Sequence, residues 1–430
     1  MNRLIITAAL SLALLSCTQS PDEVAPPADI KKLARDYLFL ELSMGQHDAN
    51  HVDAYFGPDE PNSAANNAKL SLDEILSASA RLTNTLSRFD TSHDRQLAQR
   101  TAGLMARLRA LDTRIAMNKG EFVDFDEESK RLFGTSAPKY DKSRFEAILR
   151  QIDLLLPGPG SLTSRVEEFT RAFEIPADRL PAVFEAAIVE CRRRTLEYIQ
   201  LPEGESFTIE YVADKPWSGY NWYQGNAVSI IQVNTDLPTR IDRAVDLGCH
   251  EGYPGHHTYN ALLEENLVVG KNWLEFSLYP LFSPQSLIAE GSANYGIELA
   301  FPGDERIEFE KRVLFPLAGL DDTLADRYYQ LLELQAKLSF SGNEAARGYL
   351  NGELTREQAI DWLMTFSLST KERAQQRIRF METYRSYVIN YNHGKAMVAN
   401  YIETGTTTPA ERWEKFEKLL STSVLPGDLR

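Results

Sequence analysis

Residues 250–257, His-Glu-Gly-Tyr-Pro-Gly-His-His, constrain the fold of this chain more than any other segment. They contain three of its seven histidines. A regular helix would separate His250 from His257 by roughly 10 Å along its axis, whereas zinc binds each imidazole at about 2.0–2.1 Å. Pro254 also lacks an N–H donor and clashes with the carbonyl group four residues earlier. A regular helix therefore cannot bring these histidines to one ion, and the segment predicts an interrupted helix.

The Pro254–Gly255 pair predicts how the interruption is built. Because Gly255 can adopt backbone angles closed to other residues, a bulge there can absorb two residues and turn His256 toward His250. Geometry favours His256 as the second metal ligand, and His257 remains the alternative. If His256 is the ligand, His257 lies behind the ligands or faces the substrate.

The chemistry of this segment indicates a catalytic metal. Neutral imidazole is a good ligand for zinc, and a neighbouring carboxylate can activate a zinc-bound water. A zinc hydrolase also needs a third ligand and an open coordination position. Glu290 supplies a candidate, because the small residues beside it allow close approach to another helix. The sequence predicts one Zn²⁺ ion bound by His250, His256 and Glu290, with Glu251 as general base.

The segment resembles the H-E-x-x-P-G-H-H signature of the bacterial domain of unknown function 885, a family placed among the gluzincin metallopeptidases. The family's later E-G-W-A-L-Y motif corresponds to residues 290–295, Glu-Gly-Ser-Ala-Asn-Tyr, which lack its Trp and Leu. The family acid that follows this motif falls at Ile297, one residue before Glu298. Residues 391–395 resemble a late Tyr-x-x-Gly-Lys stretch. The resemblance covers most of the chain after Leu162 and implies a zincin-like, gluzincin-like helical fold.

The predicted function is zinc-dependent hydrolysis, most simply of peptide bonds. Glu251 would take a proton from the activated water and pass it to the leaving amine. Tyr391 is the candidate for stabilising the oxyanion, and His257 is a possible catalytic helper. The strand over residues 227–234 could pair with an extended peptide substrate. Arg385 and Lys395 are candidates for holding a substrate carboxylate.

Three other functions can be compared with zinc-dependent peptide hydrolysis. A solute-binding lipoprotein would show alternating strands and helices in two lobes, and this chain does not. A second alternative is an inactive relative that acts in binding or scaffolding at the cell envelope, although the presence of Glu251 argues against it. A third is hydrolysis of a non-peptide amide or ester, which uses the same water, base and Lewis acid.

Periodicity predicts a mainly α-helical fold with a small antiparallel β-sheet beside the metal-binding helix. Strands are predicted at 206–212 and 227–234, with an aromatic turn at 217–223 between them and a loop at 46–61. Apolar residues at three- and four-residue steps predict a long helix within 92–118. Capping boxes that begin at Ser71 and Thr355 predict two helix starts.

The first residues predict export. Leu4–Leu15 is apolar but too short to span a membrane, and it leads to Cys17 in a sequence that resembles a bacterial lipobox. Residues 1–17 are therefore a predicted lipoprotein signal peptide with a lipidated Cys17, followed by a tether at 18–27. Thr18 in place of Asp favours the outer membrane, with the protein facing the periplasm.

The remaining chain is predicted to comprise an N-terminal helical region, 28–156, and a metallopeptidase-like catalytic region, 157–430. Cys191 and Cys249 could pair in an oxidising compartment, but two distant cysteines make no disulfide framework, and free buried thiols are expected. The formal net charge is −15, and no basic run is long enough to bind nucleic acid. The expected partners are a peptide substrate and, through Cys17, a membrane.

Overall fold

A computed structural model describes residues 29–215, 217–236 and 238–429. In this part of the chain, helices dominate and five short strands form two small sheets, so the prediction of a mainly α-helical fold is confirmed. No helix among the described residues is both long and apolar enough to cross a membrane. The predicted signal peptide, Cys17 and the predicted tether at 18–27 all lie outside the described residues.

Three of the first helices, α1 (Ile30–Met44), α3 (Leu72–Leu86) and α4 (Arg95–Asn118), are amphipathic and pack around a core of their own. The apolar face of α4 packs against α1 and α3 through Leu104, Leu108 and Leu111, as its periodicity predicts. Ser71 and Glu74 form the predicted capping box of α3. The helices are α1 (Ile30–Met44), α2 (Asp59–Ala68), α3 (Leu72–Leu86), α4 (Arg95–Asn118), α5 (Phe125–Phe133) and α6 (Lys142–Leu155).

Four of the later helices, α8 (Leu180–Leu196), α9 (Asp242–Leu247), α10 (His256–Leu263) and α11 (Pro284–Ala300), pack against the turn that carries His250. Thr355 caps α16 with Gln358 in the second predicted capping box. The later helices are α7 (Leu162–Arg171), α8 (Leu180–Leu196), α9 (Asp242–Leu247), α10 (His256–Leu263), α11 (Pro284–Ala300), α12 (Glu305–Phe309), α13 (Phe315–Ala318), α14 (Ala325–Lys337), α15 (Ser341–Leu350), α16 (Arg356–Phe366), α17 (Lys371–Tyr384), α18 (Ile389–Glu403) and α19 (Pro409–Ser421).

The larger sheet is mixed rather than purely antiparallel. Its central strand, β4 (Val228–Asn234), pairs parallel with β2 (Ser206–Val212) and antiparallel with β3 (Gly219–Gly225). Alternating residues identify a strand but not its partner, which is why the sequence did not reveal the parallel pair. The strands are β1 (Val52–Tyr55), β2 (Ser206–Val212), β3 (Gly219–Gly225), β4 (Val228–Asn234) and β5 (Leu278–Pro280).

Two of these strands lie where the sequence predicted other structure. The predicted aromatic turn at 217–223 contains most of β3, which turns back into β4 through Asn226 and Ala227, both with φ of 54°. The predicted loop at 46–61 contains β1, which pairs antiparallel with β5. The expectation that a peptide adds to β4 was also wrong, because β4 is the central strand and both of its edges are paired.

A continuous apolar core joins both halves of the sequence. Phe125 and Phe133 of α5 are buried in the same cluster as Phe184 of α8 and Phe282. The histidine segment lies inside this cluster, since Cys249 and Tyr253 also belong to it. The site is therefore held by packing from elements far apart in sequence.

Cys191 and Cys249 form a disulfide bond, with their Cα atoms 5.5 Å apart. The expectation of two free thiols was wrong. Cys191 lies on α8, which packs beside the helical turn that carries Cys249. Sequence spacing gave no sign of this contact, because the two residues are separated by 58 positions.

Candidate metal centre

The histidine segment is an interrupted helix, as its Pro-Gly pair predicts. Helix α9 continues into a π-helical turn, Gly248–Gly252, which carries His250 and Glu251. The backbone is then extended at Tyr253, the Tyr253–Pro254 peptide is cis, and α10 begins at His256. His250 and His256 therefore belong to two different helical turns.

Gly255 allows these two turns to approach each other. A Cβ atom at this position would lie 1.8 Å from the His250 carbonyl oxygen, so no other residue fits this backbone. The Gly255 amide donates a hydrogen bond to the Cys249 carbonyl oxygen over 3.0 Å. As a result, the rings of His250 and His256 lie edge to face with their centroids 4.7 Å apart.

Glu290 reaches the histidines from α11, and two glycines set the position of that helix. A Cβ at Gly291 would lie 2.6 Å from the backbone of Gly394, so α11 and α18 cross in direct backbone contact. A Cβ at Gly296 would lie 2.9 Å from Cγ of Pro254. The small residues beside Glu290 therefore do allow close approach, as the sequence indicated.

His250, His256 and Glu290 form a compact cluster. Glu290 Oε2 lies 3.2 Å from His250 Nε2 and 3.8 Å from His256 Nε2. One potential ligand atom from each of the three residues lies within 4.8 Å of the other two. The side chains of both histidines are 12% exposed and that of Glu290 is 8% exposed. The geometry therefore presents two nitrogens and one oxygen to a common point.

One atom of this cluster is left without a hydrogen bond. Glu290 Oε1 accepts a hydrogen bond from Tyr387 Oη over 2.8 Å, but the buried Oε2 has no hydrogen-bond partner among the described residues. A buried carboxylate oxygen with no partner is costly, and a cation between it and the two imidazoles would remove that cost. The donor set of two histidines and one carboxylate is one that zinc accepts.

The charges of the cluster favour an ionised Glu290. Burial alone would raise its pKa, but the contacts with His250 and His256 outweigh burial and hold the pKa of Glu290 well below its usual range. Burial opposes a charged His256, yet Glu290 raises the pKa of His256 to about 9. Glu290 is thus a carboxylate that can bind a cation at neutral pH.

Glu251 lies beside this cluster in a space left by a glycine. It is 5% exposed, and a Cβ at Gly219 would lie 2.8 Å from Glu251 Oε1. Asn221 Nδ2 donates a hydrogen bond to the Glu251 carbonyl oxygen over 2.8 Å. The charge of Glu251 contributes to the raised pKa of His256, which places the carboxylate close to the histidines.

Two tyrosines, Tyr387 and Tyr391, lie close to Glu290. Tyr391, the residue selected from the sequence, is half-buried, with its ring centroid 5.8 Å from that of Tyr387. Burial and the charge of Glu290 raise the pKa of Tyr391 well above its usual range. Sequence reasoning missed Tyr387, which binds Glu290 directly, although the spacing of Tyr384, Tyr387 and Tyr391 was a usable signal.

His257 is not brought to the cluster. Its side chain is 0% exposed, and its Nδ1 lies 2.8 Å from Ser229 Oγ while its Nε2 lies 3.1 Å from Glu205 Oε2. Glu205 also accepts hydrogen bonds from Tyr253 and Arg192. Both nitrogens of His257 are therefore engaged behind the site, which fits the position expected if His256 is the ligand.

Asp53 is a further acidic residue that the sequence did not single out. It lies on β1 and is half-buried. Burial raises its pKa to about 7, and the charges of His256, Glu290 and Glu251 all act on it. The predicted loop at 46–61 thus contributes an acid to the wall of the site.

The two cations considered for a substrate carboxylate are both paired. Arg385 Nε lies 2.7 Å from Glu128 Oε2, and Lys395 Nζ lies 2.7 Å from Glu298 Oε1. These pairings also give Glu298 a partner outside the cluster. Neither Arg385 nor Lys395 is therefore free to receive a ligand without breaking an ion pair.

Comparison with one solved structure supports the fold. A solved structure described provisionally as a lipoprotein from Colwellia psychrerythraea has a TM-score of 0.50 and 14% identity. The match covers 92% of this chain and 76% of the lipoprotein chain. A carboxypeptidase of the M32 family from Deinococcus radiodurans has a TM-score of 0.41 and 13% identity, and the match covers 90% of this chain and 88% of the carboxypeptidase chain. No protein-family profile and no curated protein matches the chain.

Proposed function

We propose that this protein is a zinc-dependent hydrolase that cleaves peptide bonds. The observation that carries the proposal is the convergence of His250, His256 and Glu290, with an orphaned oxygen of Glu290 facing both imidazoles. Glu251 follows His250 directly and supplies a carboxylate at the same place. A metal site with three protein ligands and an adjacent base is the arrangement of catalytic rather than structural zinc.

The side chains divide the chemistry among them. A zinc ion bound here supplies a Lewis acid that acidifies water and polarises a carbonyl group. Glu251 accepts the proton of the attacking water and donates it to the leaving amine. Tyr391 donates a hydrogen bond to the developing oxyanion, and Tyr387 fixes the orientation of Glu290 through its 2.8 Å bond. His257 acts from behind, by holding the start of α10 against Glu205 and Ser229.

We also propose membership in the bacterial domain of unknown function 885, on the basis of the motif at 250–257. The sequence at 1–17 supports export with a lipid on Cys17, and Thr18 in place of Asp supports anchoring at the outer membrane facing the periplasm. These assignments rest on sequence resemblance and are separate from the geometry of the site.

The test is hydrolysis of a mixed peptide library by the purified protein, followed by mass spectrometry. We expect cleavage that a chelator stops and added zinc restores, and that the Glu251→Gln variant lacks. A zinc-loaded, folded protein that cleaves no peptide but hydrolyses other amides or esters would support the proposed hydrolase function and reject the proposed peptidase function. A zinc-loaded protein that hydrolyses no peptide, no other amide and no ester would favour a role in binding or scaffolding.

A further inference from the structure

Arg377 lies on α17 near the proposed site and lacks an acidic partner. It is half-buried, and among the described residues its side chain forms no ion pair and no hydrogen bond. Its guanidinium carbon lies 5.2 Å from the ring centroid of Phe380. This differs from Arg385 and Lys395, which are each held by a glutamate.

A row of aromatic rings connects Arg377 with the metal centre. The ring centroid of Phe380 lies 6.2 Å from that of Tyr391, which lies 5.8 Å from that of Tyr387. Tyr387 in turn binds Glu290. Arg377 and Glu290 act on Tyr391 with opposite effects on its pKa. Arg377 and Glu290 therefore both lie close to Tyr391.

The environment of Arg377 favours an incoming anion. Burial lowers the pKa of Arg377, since water is removed from the cation and no carboxylate replaces it. A desolvated charge without a counter-ion is unfavourable, and a carboxylate is the anion whose geometry matches the planar guanidinium fork. Such pairs are often bidentate and stronger than neutral hydrogen bonds.

Building on the proposed function, we propose that Arg377 binds the free C-terminal carboxylate of the substrate. The substrates are then peptides cleaved near their C-terminus, with the scissile carbonyl at the metal centre and the carboxylate at Arg377. This assigns Arg377 as a residue that determines specificity and contacts the substrate. Blocking the carboxylate as an amide removes the anion that Arg377 binds.

The experiment measures binding apart from turnover. Acetylated tetrapeptide pools of identical sequence, with either a free carboxylate or a C-terminal amide, are titrated into zinc-loaded Glu251→Gln protein. The same titrations are repeated with Arg377→Gln, Arg377→Lys and Arg379→Gln added to that background. Arg379 is an exposed residue two positions along the same helix and serves as the matched control. Zinc content and thermal unfolding confirm that each variant is folded.

We expect the free acid to bind about ten- to a hundred-fold more tightly than the amide. Arg377→Gln should abolish that preference, Arg377→Lys should restore part of it, and Arg379→Gln should leave it unchanged. Equal binding of acid and amide, absence of binding by both, or a preference that survives Arg377→Gln would overturn the inference. If folded Arg377→Gln protein loses zinc, a structural role replaces the proposed one.

The two proposals fail separately. A preference for the free acid that depends on Arg377 supports the inference even if the unmutated protein hydrolyses no peptide. Zinc-dependent hydrolysis that is equally fast on acid and amide peptides supports the proposed function and overturns the role of Arg377.

Discussion

His256 and His257 are neighbours in sequence but lie in two different polar clusters. His256 faces His250 and Glu290, where Glu290 Oε2 has no hydrogen-bond partner among the described residues. His257 faces the other way, where both of its nitrogens have partners in Glu205 and Ser229. The first cluster is slightly exposed, whereas His257 is fully buried.

The difference separates a ligand site from a structural network. A buried network that satisfies its polar atoms stabilises one conformation and has no capacity for a further ligand. A cluster that leaves a carboxylate oxygen and two imidazole nitrogens converging on one point has that capacity. The two clusters meet at the adjacent residues His256 and His257. The network around Glu205 therefore holds the turn that carries His256.

The largest expected effect tests directly whether His256 and His257 have different roles. His256→Ala should lower zinc affinity by about three orders of magnitude and abolish hydrolysis, because a ligand is lost. His257→Ala should keep zinc within about tenfold but lower the free energy of unfolding by about 2–3 kcal/mol, since Glu205 and Ser229 lose a partner. Zinc titration and chemical denaturation measure both. If His257→Ala loses zinc and His256→Ala keeps it, the roles of the two histidines are exchanged.

Glu251→Gln tests the chemistry on the His256 side. The substitution removes the proton acceptor but keeps the size of the side chain, so turnover should fall about 10³-fold while one zinc remains bound. Glu265→Gln, at an exposed position in the helical turn Glu264–Val269 after α10, is the control and should be fully active. Near-normal turnover in Glu251→Gln would show that another residue is the base.

Glu205→Gln tests the network on the His257 side. Glu205 binds Tyr253, His257 and Arg192, so its loss should loosen the turn that carries His256. Residues that orient metal ligands typically contribute about 10–100-fold to affinity, and we expect zinc affinity to drop by that amount. Glu203→Gln is the exposed control. Unchanged zinc affinity would mean that the two clusters are independent.

The smallest expected effect concerns the helix crossing that supports Glu290. Gly291→Ala forces a Cβ to within 2.6 Å of the Gly394 backbone and should cost about 1–3 kcal/mol of unfolding free energy. Gly342→Ala is the control, because a Cβ there meets nothing within 4 Å and alanine favours the helix. Thermal unfolding compares the two. Equal stability would show that α11 and α18 can separate without cost.

The parts of this fold that depend on local sequence could be predicted. The capping boxes at Ser71 and Thr355, the apolar face of α4 and the interruption at Pro254–Gly255 each arise from residues within a few positions of one another. The choice of His256 over His257 as a metal ligand was drawn from the same local geometry and stays a prediction. These features need no knowledge of distant contacts.

The parts that depend on distant contacts could not be predicted. Tyr387 and Glu205 reach the site from other helices and loops, and Cys191 meets Cys249 across 58 residues. The parallel pairing of β2 with β4 likewise depends on the path of the chain between them. Local patterns show what a residue can do, but tertiary packing decides what it contacts.

The most direct test of the central claim is an anomalous-difference map at the zinc absorption edge from crystals grown with zinc. The account predicts one strong peak bound by Nε2 of His250, Nε2 of His256 and Oε2 of Glu290, with His257 still bonded to Glu205. A peak on His257, or no peak near Glu290 in zinc-saturated crystals, would contradict it.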